Sequence, residues 1–217
     1  MKKIIFTIFL IGLSVVANAQ YGYRDGNRIG LTLGVTQMSL TTNNFKTKPE
    51  MGWVGGLAVR GNYYNNFSML FGMQFTESNF TVETMKSSKI EDVKYTLAAV
   101  QVRLLLSYNI VKDHVSLDFG PILQVNGKLK TDSKYDEYSI SGTTLNVKDI
   151  QDVTKFNGNF YAGISAGNKR IRAIVCYQYG INNFLNNLNK KEELKQANNS
   201  EFKGHLGIIS GQLLFNL

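Results

Sequence analysis

One stretch decides the fold, Tyr95–Ile110, which reads YTLAAVQVRLLLSYNI. From Ala98 onward its even-numbered positions carry almost only apolar residues. The odd-numbered positions are mixed and include Gln101, Arg103 and Asn109. Because side chains alternate across a β-strand with period two, this pattern predicts a long strand with one apolar face and one mixed face.

The same alternation resumes after a short break at Lys112 and Asp113. Val115–Val125 again has apolar residues on one face, and Asp118 and Gln124 lie on the other. The two stretches are therefore predicted to pair as a long β-hairpin. We expect the apolar side of this hairpin to face lipid.

The beginning of the chain has the pattern of a secretory signal peptide. A basic start, Lys2-Lys3, precedes an apolar run that is too short to cross a bilayer as a helix. Ala17–Ala19 then supplies the small residues of a cleavage site. Residues 1–19 are predicted to be a signal peptide, and residues 20–217 form the mature domain outside the cytoplasm.

Six further stretches alternate in the same way, which gives eight predicted strands in all. They are Arg28–Gln37, Met51–Tyr63, Phe67–Phe75, Phe156–Ala166, Ile171–Ile181 and Gly204–Leu217. The connections alternate between long and short, and the long polar ones are Ser39–Glu50, Glu77–Asp92, Lys128–Lys155 and Phe184–Phe202. An even number of strands, with tight turns on one side and long loops on the other, is typical of outer-membrane barrels. We therefore predict an all-β protein of the cell outer membrane, an eight-stranded antiparallel up-and-down transmembrane β-barrel with short periplasmic turns and long extracellular loops.

The sequence does not decide the local structure of two of the long segments. Glu77–Asp92 either extends a hairpin beyond the membrane or forms a loop. Part of Phe184–Phe202, from Lys190 to Ala197, has the composition of one or two helical turns.

The mixed faces of the strands decide which side of the barrel is inside. A soluble barrel would turn its apolar face inward and place lysine and glutamate on its outer surface, whereas here the lysines are almost confined to loops and turns. The mixed faces carry small polar residues and a group of four charged residues, Arg60, Arg103, Asp118 and Arg172. We predict that this group fills the lumen as a structural ion-pair plug, because eight strands leave an interior that side chains can fill. The alternative is a lumenal anion site or a gated narrow path.

Residues that could carry chemistry are few. Cys176 is the single cysteine, and His114 and His205 are the only histidines, each without a cysteine or acid at metal-ligand spacing. No nucleophile, metalloprotease or phosphate-loop motif occurs in the sequence. We therefore expect no enzyme activity, no metal and no cofactor.

The charge of the chain bears on its partners. The formal net charge is +8, and removal of Lys2 and Lys3 lowers it to +6. An exported protein rarely meets nucleic acid, so we expect none as a partner, and attraction to outer-membrane lipid and lipopolysaccharide phosphates is the functional interpretation. Solvated loop lysines that merely aid solubility are the alternative.

Two stretches carry a resemblance to a known family: YTLAAVQVRLLLSYNI at Tyr95–Ile110, and VSLDFGPILQVNGKLK at Val115–Lys130 with its Phe119-Gly120-Pro121 element. They resemble the PorT-like outer-membrane β-barrel family of Bacteroidota. The resemblance implies an eight-stranded barrel in the outer membrane. It also implies a role in secretion of proteins across that membrane, because at least one member of the family is implicated in this process. It implies no catalytic residues, because the family has no catalytic motif to match.

The sequence therefore leaves two main hypotheses of function. The preferred one is a monomeric structural barrel, or an accessory to protein secretion with secretion or envelope proteins as partners. The second is a surface protein that binds a ligand or mediates adhesion through the loops Ser39–Glu50, Lys128–Lys155 and Phe184–Phe202. A small-solute pore is a third possibility.

Overall fold

A computed structural model describes residues 27–217 except 65, 87–88 and 199. The predicted signal peptide, residues 1–19, lies outside these described residues. The strands are β1 (Arg28–Thr42), β2 (Thr47–Tyr64), β3 (Phe67–Lys86), β4 (Lys89–Val111), β5 (Val115–Asn126), β6 (Ser139–Ile140), β7 (Phe156–Gly167), β8 (Ile171–Gly180) and β9 (Gly204–Asn216), and one helix is α1 (Glu192–Asn198). No helix in this part of the chain has the length and apolar character needed to cross a membrane.

Eight of the strands form a closed antiparallel ring. Each strand of the ring pairs with the next one along the chain, with β5 followed directly by β7. The ring closes between the first and last strands, where Leu31 of β1 lies opposite Phe215 of β9. The two-residue strand β6 lies outside the ring and pairs with β3 at Thr84 and Met85. The predicted eight-stranded up-and-down barrel is confirmed.

The alternation seen in the sequence is the alternation of exposure in the barrel. On β3, for example, Phe71 and Phe75 point outward and are exposed, while Ser68 and Gln74 point inward and are buried. A closed ring leaves no unpaired sheet edge, so its backbone groups are satisfied even in hydrocarbon. The exposed apolar band is therefore the lipid-facing surface.

The short connections and both ends of the barrel domain lie at one end of the ring. The turn between β4 and β5 is tight, and Asp113 adopts a left-handed conformation there with φ of 64°, which Asp tolerates better than most residues. Close approach of these two strands also requires Gly120, since a Cβ on it would lie 2.4 Å from the Leu104 carbonyl oxygen. This short-turn end is the periplasmic one, because outer-membrane barrels keep their long loops outside the cell.

One of the four predicted long loops is wrong as a loop, and a second forms the hairpin that the sequence allowed. Ser39–Glu50 consists mostly of strand, with β1 continuing to Thr42 and β2 beginning at Thr47, and Glu77–Asp92 takes the first of its two possibilities, a hairpin that extends beyond the membrane. The extensions form because their inward faces become apolar and pack together. These inward residues are Met38, Leu40, Phe80, Val82, Val93, Tyr95 and Leu97, all of them buried. Lys128–Lys155 and Phe184–Phe202 do lie between strands, and the helix predicted near Lys190–Ala197 is α1.

Candidate functional site: the lumen and the extracellular head

The lower part of the lumen holds an ion pair between β2 and β5. Arg60 donates through Nη2 to both carboxylate oxygens of Asp118, at 3.2 and 3.3 Å, and through Nη1 to Ser116 at 3.2 Å. The Ser107 hydroxyl also donates to Asp118. Both charged side chains are almost fully buried. A buried pair of this kind is tolerated only when its remaining hydrogen-bonding groups are satisfied, and here serines supply several of the partners.

Arg172 joins this pair from the periplasmic side. Its Nη2 donates to the hydroxyls of Ser116 and Ser165, both at 3.1 Å, and those two hydroxyls lie 2.7 Å apart. Its Nη1 donates to the backbone carbonyl of Asp113 at 2.9 Å. Three of the four charged residues predicted from the sequence therefore belong to one hydrogen-bonded network, and the serines that connect them were not singled out by the sequence analysis.

Arg103 lies in the same lumen but outside this network. Its side chain is fully buried, and none of its three guanidinium nitrogens has a hydrogen-bond partner among the described residues. It lies across Gly72 of β3, where a Cβ would come within 2.7 Å of its Nε atom. Gly72 is thus the residue that makes room for the arginine.

A layer of amides fills the lumen above the arginines. Gln74 donates to Gln212 at 2.8 Å, and Gln124 accepts 2.8 Å bonds from both Gln101 and Asn159. These side chains come from strands on different sides of the ring and are buried. At the level of the membrane, charged and amide side chains share the lumen with a smaller buried apolar cluster that includes Leu70, Leu105 and Tyr161.

Above the amide layer the interior changes from mixed to largely apolar. The inward residues of the extended strands pack against apolar residues from the two long connections. Segment 127–155 contributes Leu129, Ile140, Leu145, Val147, Ile150 and Val153, and segment 181–203 contributes Phe184, Leu185, Leu188 and Phe202. We call this assembly of extended strands and packed connections the extracellular head. Its hydrophobic core covers the extracellular mouth of the barrel.

Hydrogen bonds fix the connections onto the strands. The Tyr95 hydroxyl donates to the Val147 carbonyl at 2.9 Å, and burial, with the charges of Asp136 and Asp149, raises the pKa of this phenol so that it stays protonated. The two connections also bond each other, since the Thr154 amide donates to the Phe184 carbonyl at 2.9 Å. The head is therefore a folded unit with its own core.

One flank of the head carries a basic cleft of about 620 Å³ between the extracellular ends of β5 and β7 and the segment that leads to α1. Four lysines line it, Lys128, Lys155, Lys190 and Lys191, together with one acid, Asp152. We refer to this feature as the lysine cleft.

The remaining candidates for chemistry are dispersed. Cys176 is buried in the lumen with its sulfur 2.9 Å from the Ser210 hydroxyl. His114 lies in the β4–β5 turn and His205 at the start of β9, where their Nδ1 atoms contact backbone carbonyls of Lys112 and Gly180. Within the described ranges, no three histidine, cysteine or acidic side chains come together as a metal site.

A closed ring with a lipid-facing apolar surface, a lumen filled by side chains and long loops on one side defines an integral outer-membrane β-barrel. The chain matches the outer membrane protein beta-barrel domain family over residues 18–186 and belongs to that family. This match does not identify the PorT-like group or the phylum Bacteroidota.

Solved structures share the fold. The attachment invasion locus protein Ail of Yersinia pestis, in complex with the heparin analogue sucrose octasulfate, is 12% identical, with a TM-score of 0.50 over 88% of this chain and 99% of its own. Neisserial surface protein A is 8% identical, with a TM-score of 0.49 over 88% and 99%. No curated protein matches the sequence. The similarity to Ail supports the fold and does not identify a ligand of this chain.

Proposed function

We propose that this protein is a closed, non-enzymatic outer-membrane barrel that acts at the cell surface by binding a ligand through its extracellular head. One observation carries the proposal: the two long connections fold onto the extended strands around a common hydrophobic core. Loops that only linked strands would have no need of buried apolar side chains. A preorganised surface loses less conformational entropy on binding, which favours recognition.

The lumenal residues Arg60, Arg103, Asp118 and Arg172 have a structural role in this proposal. The Arg60–Asp118 pair and the serines around it support a plug that fills the barrel and fixes its strands. The apolar core of the head lies above it. A small-solute pore is therefore disfavoured, and we expect no stable ion conductance from the protein in planar bilayers.

The similarity to Ail suggests a probe for the ligand. That protein is an attachment invasion locus protein and was solved with a heparin analogue. The present chain is basic, with twenty-four lysines and arginines against sixteen acids. A sulfated or phosphorylated saccharide is therefore the first class of ligand to test.

An accessory role in protein secretion is the second candidate. It rests on the PorT-like resemblance of Tyr95–Ile110 and Val115–Lys130 and on the filled lumen. A barrel filled by its own side chains could assist a secretion machine as a bound subunit, but a secreted chain would not pass through it. Secretion or envelope proteins would then be its partners.

The two candidates can be separated by blocking the head on intact cells. Cys176→Ala removes the native thiol, and Lys89→Cys then places a single thiol at the exposed tip of the β3–β4 hairpin. Biotin on this thiol and added streptavidin cover the head. Arg170→Cys, in a periplasmic turn, is the matched control that streptavidin cannot reach.

We expect cells that produce the protein to attach to immobilised heparin and to lose attachment when streptavidin covers position 89. Secretion should not change. Unchanged attachment with the head covered contradicts the surface-binding proposal. If loss of the protein reduces secretion and leaves attachment intact, the accessory role replaces it.

A further inference from the structure

We propose that the lysine cleft is a binding site for the phosphorylated headgroup of a glycolipid in the outer leaflet of the membrane. This site lies on the flank of the head, and it does not depend on what the rest of the head binds. The proposal rests on the charge of the cleft, on its frame and on its position relative to the lipid-facing surface.

The cleft has a strong excess of positive charge. Lys128, Lys155, Lys190 and Lys191 are all exposed, and Asp152 is the one acid among the residues that line it. In the part of the chain that the structure describes, none of these four ammonium groups is in an ion pair; the nearby acid Glu192 lies 3.7 Å from Lys195 instead. Lysine is a common point-charge ligand of phosphate, so four such groups around one cleft suit an anion with more than one phosphate.

A second cleft of the head shows the contrast. It is lined by Lys94 and Lys130, but also by Asp92 and Asp132. The lining of this cleft has two acids for two lysines, whereas the lining of the lysine cleft has one acid for four lysines.

The backbone that carries the lysines is held in place. The Asn126 amide donates to the Lys155 carbonyl at 2.7 Å, which joins the ends of β5 and β7. On the other wall, the Asn187 side chain donates to the Val153 carbonyl at 3.0 Å. The backbone positions of the lysines are thus fixed, and only their flexible side chains adapt to a ligand.

The position of the cleft selects the class of ligand. Lys155 is followed directly by Phe156, which opens the lipid-facing surface of β7 and is 64% exposed. The Asn182 side chain bonds the Phe156 carbonyl at 3.0 Å and the Gly158 amide at 2.8 Å, which holds the exposed Ile181 beside it. A basic cleft that borders an apolar surface fits an amphiphile, with phosphates on the lysines and acyl chains against the barrel. A soluble polyanion would make no use of the apolar border.

The test measures binding of defined lipids to the full barrel in a zwitterionic detergent. The probes are bis-phosphorylated lipid A, the same lipid without phosphates, and short heparin fragments as a soluble polyanion. The cleft variant is Lys155→Gln with Lys190→Gln, and the matched control is Lys94→Gln with Lys130→Gln. Both remove two charges from exposed lysines of the head, so the heat-dependent gel shift of the folded barrel should stay unchanged in both.

We expect the wild type to bind phosphorylated lipid A about tenfold more tightly than the dephosphorylated lipid, and the cleft variant to lose about this factor. The control variant should change by less than about twofold. Equal losses in the two variants, or no loss in the cleft variant, overturn the site. Heparin fragments that bind as tightly as lipid A, with the same dependence on the cleft lysines, overturn the lipid as its occupant.

Discussion

The two halves of strand β4 differ in the polarity of their faces. Below Leu97 in the membrane, outward residues such as Leu104 are apolar, and the inward face is mixed, with Arg103 next to Leu105. Above it in the head, Lys94 points outward and Tyr95 is buried inside. One continuous strand therefore follows two rules, because lipid surrounds its lower half and water its upper half. The comparison teaches that burial inside this protein is not by itself a sign of a hydrophobic position.

The largest effect is expected from breaking the polar interior of the membrane half. Asp118→Asn removes the acid of the buried pair with Arg60 and should lower the free energy of unfolding by about 3–5 kcal/mol. Urea unfolding in lipid vesicles, followed by the fluorescence of the single tryptophan, Trp53, measures the loss. The double variant Arg60→Met with Asp118→Leu should recover most of it, since both charges are then gone. A single variant as stable as the wild type would contradict the plug.

A cavity in the hydrophobic core of the head should lower the stability of the head. Phe184→Ala deletes a fully buried side chain of the head core and should destabilise the head by about 3–5 kcal/mol. We expect faster protease cleavage in segments 127–155 and 181–203, with the heat-dependent gel shift of the barrel retained. Phe160→Ala, on the lipid-facing surface of β7, is the control and should leave cleavage of the head unchanged. Equal cleavage of the two variants would show that the head lacks a separate core.

The same substitution on the same face of β4 should have different effects in the two halves. Leu104 and Ile90 are both apolar, outward-facing and 47% and 61% exposed. Leu104→Arg places a charge in hydrocarbon and should cost about 2–4 kcal/mol. Ile90→Arg places it in water and should change the free energy of unfolding by less than about 0.5 kcal/mol. Similar costs measured by urea unfolding would mean that the two positions share one solvent.

The smallest effect is expected at the periplasmic turn, where the Arg28 guanidinium lies 2.8 Å from Asp113. Burial acts to raise the pKa of this carboxyl, but the hydrogen bond from Arg28 and the charge of Lys169 lower it overall. The pair thus stabilises the fold above the ordinary aspartate pKa of about 3.9, and this contribution is lost as the pH falls through the lower pKa of the folded state. Asp113→Asn should remove that part of the pH dependence of unfolding. An unchanged pH profile in the variant would exclude the contribution.

The membrane half of the molecule could be predicted from its sequence. In Ala98–Ile110 lipid requires every outward residue to be apolar, and a period of two is visible without any knowledge of the fold. Arg60, Asp118 and Arg172 could be assigned to the lumen for the same reason. Their connection through Ser107, Ser116 and Ser165 could not, because serines are frequent on every inward face and nothing in the sequence distinguishes these three.

The head could not be predicted in this way. Its core combines strand residues such as Val93 with Leu145 and Phe184 from segments that have no periodicity. The polar residues of Ser39–Glu50 predict a loop, although Leu40 and Phe45 within this segment are buried. Where a strand passes from lipid into water, the apolar residues shift from its outward face to its inward face. The sequence does not mark where this change occurs.

The central claim is that β4 crosses from lipid into water near Leu97. Its most direct test uses single cysteines at positions 90, 94, 102, 104 and 105 in the Cys176→Ala background, each labelled with an environment-sensitive fluorophore, in vesicles that contain brominated lipid. We predict strong quenching at 102 and 104 and little at 90 and 94, in water, or at 105, in the lumen. Quenching at 90 and 94 equal to that at 102 and 104, or quenching at 105 and not at 104, would contradict the account.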